Sequence, residues 1–254
     1  MSDKVTERDR YESRAQLLMR AEGSFNAQPA GSTAVETEFR APYQLFEQYV
    51  ARLIDDSSKV LEIGAGTGLH TVALARRSPL VTALDISPTA LELCRERTQG
   101  RVRTICGDME DLPVRDDSFD IVVSAGSLSY GDPKIVDSEI HRVLKPGGSL
   151  LIVDSLNHNP AYRFNRRIQV WRGRRTESTI RRMPTLQRIA LLRRGFRESS
   201  VDYFGSFVFL HPMLKSFMGV QRANDAVSRL DNRFGRDKFA FKFVLVAQGA
   251  ESVR

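Results

Sequence analysis

Glu62 and the three glycines that follow it, Gly64, Gly66 and Gly68, are the residues whose types and spacing first suggest chemistry. They stand in Val60-Leu61-Glu62-Ile63-Gly64-Ala65-Gly66-Thr67-Gly68. The apolar run 60–63 predicts a buried strand, and the apolar periodicity of 69–76 predicts a helix. Glycines between strand and helix let bare backbone approach a ligand that a Cβ would hold off. The helix N-terminus then adds unpaired N–H groups. Glu62 is the anomaly, because an acid in an apolar strand is costly to bury without a donor or a cation. A cationic ligand explains it; a structural hydrogen bond is the alternative.

Two more acids close strands. Residues 80–85 read as a second strand ending in Asp85, where a carboxylate can accept two hydrogen bonds from a ribose diol, with Ile86 beside it. Residues 102–106 read as a third strand leading into Gly107-Asp108-Met109. There an acid can accept from an exocyclic amine, and a thioether can pack on a purine face. Ser124 ends a fourth, β-branched strand over 119–124 and faces the same crevice. Glycine turn, ribose acid and adenine acid together describe an adenosyl group. A nicotinamide dinucleotide calls for G-x-G-x-x-G, which holds a pyrophosphate at the helix N-terminus. Here the spacing is G-x-G-x-G with an acid ahead of it, which repels a pyrophosphate and suits an ammonium or sulfonium. The expected cofactor is therefore S-adenosyl-L-methionine.

These residues need a scaffold that brings strand ends together. A helix over 88–97 follows Ser87-Pro88, another spans 133–144, Lys145-Pro146-Gly147-Gly148 stops it, and 149–154 is a fifth strand. Strands alternating with helices predict an α/β fold with a doubly wound, mostly parallel sheet. Beyond Asp154 the rhythm breaks. A helix is expected over 184–194, and strand-like runs over 201–210 and 239–247 flank a mixed segment. Before the core, 11–21 and 36–54 have helical spacing, separated by a loop over 23–33. The expected division is an N-terminal helical lid, 1–56, and a core, 57–254, carrying helical cap insertions at 155–183 and 211–237.

Composition narrows the classes. With 254 residues, 41% hydrophobic and 27% charged, the chain is large enough for a substantial core. No run approaches the roughly 18 to 20 apolar residues of a membrane span. The polar start lacks the apolar heart of a signal peptide, and two cysteines make no disulfide framework, so a cytoplasmic location is expected. The net charge of +7 is local: between Pro160 and Arg197 there are twelve arginines and one acid, Glu177.

The chain resembles class I S-adenosylmethionine-dependent methyltransferases, in particular the group typified by menaquinone and ubiquinone methyltransferases. The resemblance rests on the stretch from Val60 to Gly68, on Ala83-Leu84-Asp85-Ile86-Ser87, and on Gly107-Asp108-Met109-Glu110-Asp111-Leu112-Pro113. Asp117-Ser118-Phe119-Asp120 and Arg142-Val143-Leu144-Lys145-Pro146-Gly147-Gly148 extend it, so that it covers roughly 57–154. The segment from Leu144 and the arginine-rich stretch also look like methyltransferases found with surface-polysaccharide biosynthesis. The resemblance implies a Rossmann-like, seven-stranded sheet whose last two strands form an antiparallel edge hairpin. It places Gly64, Ala65, Gly66 and Gly68 around the amino acid part of the cofactor and Glu62 near its ammonium. Asp85 falls on the ribose, and Asp108 and Met109 at the adenine. In related enzymes an N-terminal helix folds over the cofactor, which would let Arg40 pair with its carboxylate; an ordinary solvated arginine is the alternative.

Methyl transfer to a hydroxyl also needs a base. Tyr130 follows the fourth strand and His158 the fifth; His158 is the first candidate, with His211 in the late insertion and Tyr130 behind it. A loop histidine that only bonds backbone is the competing reading. His70, on the first helix, is read as structural. No strand end carries the carboxylate set of a magnesium site, so no metal is expected. The arginine segment leaves several readings open: a lid gripping an anionic small acceptor, a docking face for an acidic carrier or an anionic membrane, an RNA-binding surface, or a solvated basic face. The lid is preferred, giving a methyltransferase for a small-molecule or carrier-bound acceptor, at oxygen. An RNA methyltransferase and a non-catalytic S-adenosylmethionine-binding protein are the alternatives. The sequence does not specify an oligomeric state.

Overall fold

The computed structural model describes residues 40–171 and 176–251, together with 9, 12, 13 and 15–17, which are helical. Tyr11, the loop expected over 23–33, the opening of the helix expected from Glu36, and Arg172, Arg174 and Arg175 lie outside the described residues. The strands are β1 (Val60–Ile63), β2 (Val81–Asp85), β3 (Arg103–Cys106), β4 (Phe119–Ala125), β5 (Leu144–Ser155), β6 (Phe196–Phe204) and β7 (Lys242–Ala250). Among the described residues they form one seven-stranded sheet in the order β3-β2-β1-β4-β5-β7-β6. The first five run parallel, and β7 lies antiparallel between β5 and β6. From β1 the chain winds outward to β2 and β3, then returns to β4 on the other side. The winding reverses between β1 and β4, where open α/β sheets leave a crevice beyond the strand ends.

Helix α1 (Ala41–Leu53) precedes the sheet; α2 (Thr71–Ala75), α3 (Pro88–Arg97) and α4 (Pro133–Val143) connect its strands. Strand alternation sends Leu61 and Ile63 to one face, where they pack with Val136, Ile140 and Val143 of α4. Val60 points to the other face, into a second core with Phe46 and Val50 of α1 and Leu74 of α2. Burying side chains such as Phe46 and Val50 contributes roughly 1.5–3 kcal/mol each. The helix starts follow from their caps. Ser87 Oγ accepts from Ala90 N at 3.0 Å with Pro88 in the first turn, and Asp132 does the same for α4 ahead of Pro133.

Three elements differ from the sequence-based expectation. Lys145-Pro146-Gly147-Gly148 does not separate helix from strand; it is the irregular start of β5, whose pairing with β4 shifts between Phe119 and Ile121. Lys145 Nζ bonds Asp120 Oδ1 at 2.6 Å across that bulge. The sixth strand occupies Phe196–Phe204 instead of 201–210, because Gly205, at φ +78°, ends it. Its polar stretch Arg197-Glu198-Ser199-Ser200 suits an edge strand and hides it from an apolar-run search. The last strand begins at Lys242, since 237–239 form a 3-10 turn.

After β5 come α5 (Pro160–Trp171), α6 (Glu177–Arg182) and α7 (Leu186–Leu192); between β6 and β7 lie α8 (His211–Met218) and α9 (Val220–Phe234). Both stretches are thus helical, and the mixed segment of the sequence reading is a helical hairpin turning at Gly219, φ +79°. Tyr162, Val208 and Val227 join the two into one small apolar cluster.

Candidate active site

The loop after β1 is built on positive backbone dihedrals: φ is +66° at Gly64, +55° at Gly66 and +82° at Gly68. A Cβ on Gly68 would stand 2.8 Å from Cys94 Cα, so this glycine lets α3 approach the loop. A Cβ on Gly64 would meet Ser127 Cβ at 2.3 Å. At Gly66 nothing lies within 4 Å, so this turn faces open space. The loop is held from below: Ala65 N donates to Leu84 O at 2.9 Å.

Asp85 holds it from the side. Its Oδ2 accepts from Gly66 N at 2.8 Å and its Oδ1 from Ser87 N at 2.9 Å. Burial pushes its carboxyl above the usual range, while the N–H groups of Ser87 and Gly66 oppose that shift. With the Ile86 N–H as a third donor, the carboxylate still has an acceptor site for a ligand hydroxyl. The acid is thus a strut for the glycine loop as well as an acceptor.

Glu62 is 1% exposed, and among the described residues Thr71 Oγ1 donates to its Oε2 at 2.6 Å. Burial raises its pKa to about 7, against the Thr71 bond and helped by the charge of Asp85. The structural hydrogen bond considered in the sequence therefore exists, but it leaves the carboxyl poorly compensated. An incoming cation would supply what is missing.

Asp108 and Met109 follow the C-terminal end of β3. Asp108 is half-buried, its Oδ1 accepting from Glu110 N at 2.9 Å. Met109 bridges two loops: a Cβ on Gly64 would lie 3.4 Å from its Cε, and one on Gly131 would lie 3.2 Å from its Sδ. Tyr130, the neighbour of Gly131, ends the 3-10 turn 128–130 and is half-buried. Arg142 anchors the loop from β3, donating to Leu112 O at 3.0 Å and Glu139 Oε2 at 2.6 Å. Ile86 is half-buried beside Asp85, and Arg40 is exposed at the N-cap of α1. Ser124 takes a different place from the one the sequence suggested. It is fully buried and shares a 2.8 Å hydrogen bond with Ser127 Oγ, which donates to Ile63 O at 2.8 Å. It supports the floor of the crevice and offers no atom to its open side.

His158 is exposed in the turn between β5 and α5, and His211 is buried in the first turn of α8. His70 packs between rings, stacked on Tyr43 at 5.2 Å and edge-on to Phe46 at 5.6 Å. Burial, and then the nearby Lys242 ammonium, lower its pKa to about 4, so the ring is neutral. Among the described residues no three His, Cys, Asp or Glu side chains gather as a metal site.

Two groups escaped the sequence reading. Glu12, from the N-terminal helix, accepts from Ser87 Oγ at 2.6 Å and from Thr89 Oγ1, while Ala15 packs on Ala90 and Leu93. This places a second acid next to Asp85, and nothing local in the sequence signals it. Lys242 is 2% exposed, and its Nζ donates to Tyr43 Oη at 2.9 Å and Ser155 Oγ at 3.3 Å. It stands at the ligand-side end of β7, paired in register with Ser155. A lysine inside Phe239-Ala240-Phe241-Lys242-Phe243-Val244 is the same anomaly as Glu62 and could have been found by the same argument.

A reversing parallel sheet with an antiparallel seventh strand, a glycine loop after β1 and acids at the ends of β2 and β3 define the class I methyltransferase fold. Residues 61–152 match the family described as "Methyltransferase domain". Over 99 residues it is 41% identical to demethylmenaquinone methyltransferase of Clavibacter sepedonicus, covering 38% of this chain and 40% of that one. Over 113 residues it is 33% identical to malonyl-[acyl-carrier protein] O-methyltransferase of Priestia megaterium, covering 43% and 41%. The chain thus spans about two fifths of the length of these curated relatives. An S-adenosylmethionine-dependent methyltransferase of Thermotoga maritima superposes with a TM-score of 0.57 at 18% identity, over 92% of this chain and 97% of that one. No described helix is long and apolar enough to cross a membrane.

Proposed function

We propose that this protein binds S-adenosyl-L-methionine and transfers its methyl group to an oxygen of a small-molecule or carrier-bound acceptor. The observation that carries the reading is the meeting, at one crevice, of a buried and poorly compensated Glu62, an open Gly66 turn and the Asp85 carboxylate. Relatives named for a demethylmenaquinone and for a malonyl group on a carrier protein support an acceptor of that kind.

The bound cofactor supplies a methyl group on a sulfonium, already a good leaving group. What remains for the chain is to bind, align and exclude water. Gly64, Gly66 and Gly68 let the backbone close on the amino acid part, with Ala65 fixed beneath. Glu62 balances the ammonium, Asp85 takes the ribose hydroxyls next to Ile86, and Asp108 and Met109 bound the adenine. Arg40 is assigned to the carboxylate, and the N-terminal helix, through Glu12, closes the ribose side. His158 takes the acceptor's proton, with Tyr130 and His211 as secondary candidates.

Calorimetry with S-adenosylmethionine and S-adenosylhomocysteine tests the binding. No heat with either, together with uptake of a nicotinamide dinucleotide, would overturn it. A tritiated methyl-transfer screen across alcohols, sugars, acids, amines and RNA then tests the chemistry. Product confined to RNA would move the acceptor class, and tight binding with no product would leave a binding protein. Asp85→Ala is expected to weaken S-adenosylhomocysteine binding by about 1–3 kcal/mol, because ribose hydroxyls lose their acceptor and Gly66 N loses its strut. Unchanged affinity would remove Asp85 from the site. His158→Ala is expected to lower turnover about 100-fold. A normal rate there, with the loss appearing instead in Tyr43→Phe, would transfer the base role to the Lys242–Tyr43 pair.

A further inference from the structure

The cap helices present an unusual outer surface. In α5, Tyr162 and Arg166 are buried, Arg166 donating to Leu156 O at 2.6 Å and lying over the Phe241 ring. Arg163, Phe164, Arg167 and Trp171 face outward, one helical turn apart along the same side. Phe164 is 68% exposed and Trp171 87%. An ordinary amphipathic helix would bury the rings and show the polar residues; here rings and guanidinium groups share the solvent face.

The α8–α9 hairpin repeats the pattern. Its inner side buries Ala223 and Val227, while Met213, Phe217, Met218 and Val220 crowd the Gly219 turn, with Phe217 83% exposed. Lys215 and Arg222 flank that tip, and no acid occurs between Asp202 and Asp225. Single exposed apolar residues need no explanation. Concentration does: of fourteen large hydrophobics exposed among the described residues, nine lie on α5 or between Phe209 and Phe239. Contacts of Tyr162 with Val208 and Val227 tie α5 to the hairpin.

Aromatic and methionine side chains projecting from basic helices match the requirements of an anionic bilayer surface. The rings enter the headgroup boundary, while arginine and lysine remain at phosphate level. A second copy of the chain would bring like charges together. An acidic protein would pair the arginines but would not call for a projecting Phe217 tip. We propose that the cap seats this protein on an anionic phospholipid surface through the outer side of α5 and the tip of the α8–α9 hairpin. This goes beyond the methyl-transfer reading and does not depend on it.

Trp171 is the only tryptophan and reports directly on the event. With the full chain and phosphatidylglycerol–phosphatidylcholine vesicles at low salt, its emission should shift to the blue, acrylamide quenching should fall, and the protein should sediment with the lipid. Pure phosphatidylcholine vesicles should bind far less, and added salt should release the protein. The double variant R163Q/R167Q and the variant Phe217→Glu should each weaken vesicle binding about tenfold or more. Both should keep the wild-type melting temperature and the same heat with S-adenosylhomocysteine. No emission shift and no sedimentation with anionic vesicles overturns the proposal, as does equal binding to uncharged vesicles that R163Q/R167Q leaves unchanged. A Trp171 shift with a purified acidic acyl carrier protein, but not with vesicles, assigns the surface to a protein partner and overturns it too. The calorimetric control on the same preparation keeps failure here separate from failure of the cofactor reading.

Discussion

Glu62→Gln should make the ligand-free protein more stable above pH 7 while weakening its hold on S-adenosylmethionine. Burial lifts the Glu62 pKa to about 7 from the ordinary 4.5. The folded state therefore holds a proton that the unfolded chain has already released between those values. Below pH 4.5 both states are protonated and the residue makes no pH-dependent difference. Stability is therefore lost as pH rises from 4.5 to 7, by about 3 kcal/mol in all, and stays level above 7, where both states are ionised. Glutamine removes that loss and can still accept from Thr71. Its melting temperature should exceed wild type by about 10 °C at pH 8 and match it near pH 4. On the proposed reading the same substitution deletes a charge-assisted contact to the ligand's ammonium, which should cost about 10- to 100-fold in affinity. Wild-type affinity should fall as pH drops below 7, and the variant's should not. Parallel melting curves with flat affinity would remove Glu62 from the binding site and leave it a structural acid.

Gly68→Ala and Gly66→Ala should part company although both glycines lie in one loop at positive φ. At Gly68 the new methyl meets the backbone of α3 at Cys94 Cα, 2.8 Å away. Neither a rotamer change nor a flexible tip can relieve that contact. The cost combines about 1–2 kcal/mol for the left-handed backbone with about 1–3 kcal/mol for overpacking. Gly68→Ala should therefore melt about 10 °C lower and lose cofactor binding together with its fold. At Gly66 the methyl enters open space, so only the backbone term applies. That variant should stay folded and still lose at least tenfold in affinity, because the methyl occupies room the ligand needs. Thermal melts beside calorimetry separate the two. Full affinity in Gly66→Ala would mean that the loop does not touch the cofactor.

The crevice itself was legible, because a sheet of this winding collects strand ends, and Glu62, Asp85 and Asp108 sit at or near strand ends in the one-dimensional pattern. Strand periodicity and helix caps depend on neighbours a few residues apart, so Ser87-Pro88 announced its helix correctly. The edge strand β6 was misplaced because an edge exposes one side and need not be an apolar run. Lys145-Pro146-Gly147-Gly148 was misread because proline and glycine also occur in bulges, where a partner strand decides the outcome.

Long-range placement was another matter. Glu12 stands 75 residues from Ser87, and Lys242 stands 199 from Tyr43, so no local window could join them. Ser124 shows the converse: its position at a strand end suggested a ligand contact, and only packing against Ser127 showed it beneath the floor. Residue order alone determined the parallel sheet, the glycine turn and the acids at its rim, because all three follow from spacing along a strand and its next helix. Tertiary structure alone decided which acid is buried without a compensating positive charge among the described residues, which glycine faces empty space and which rings of the cap stay in water. Those depend on what distant segments bring, or fail to bring, within a few ångströms.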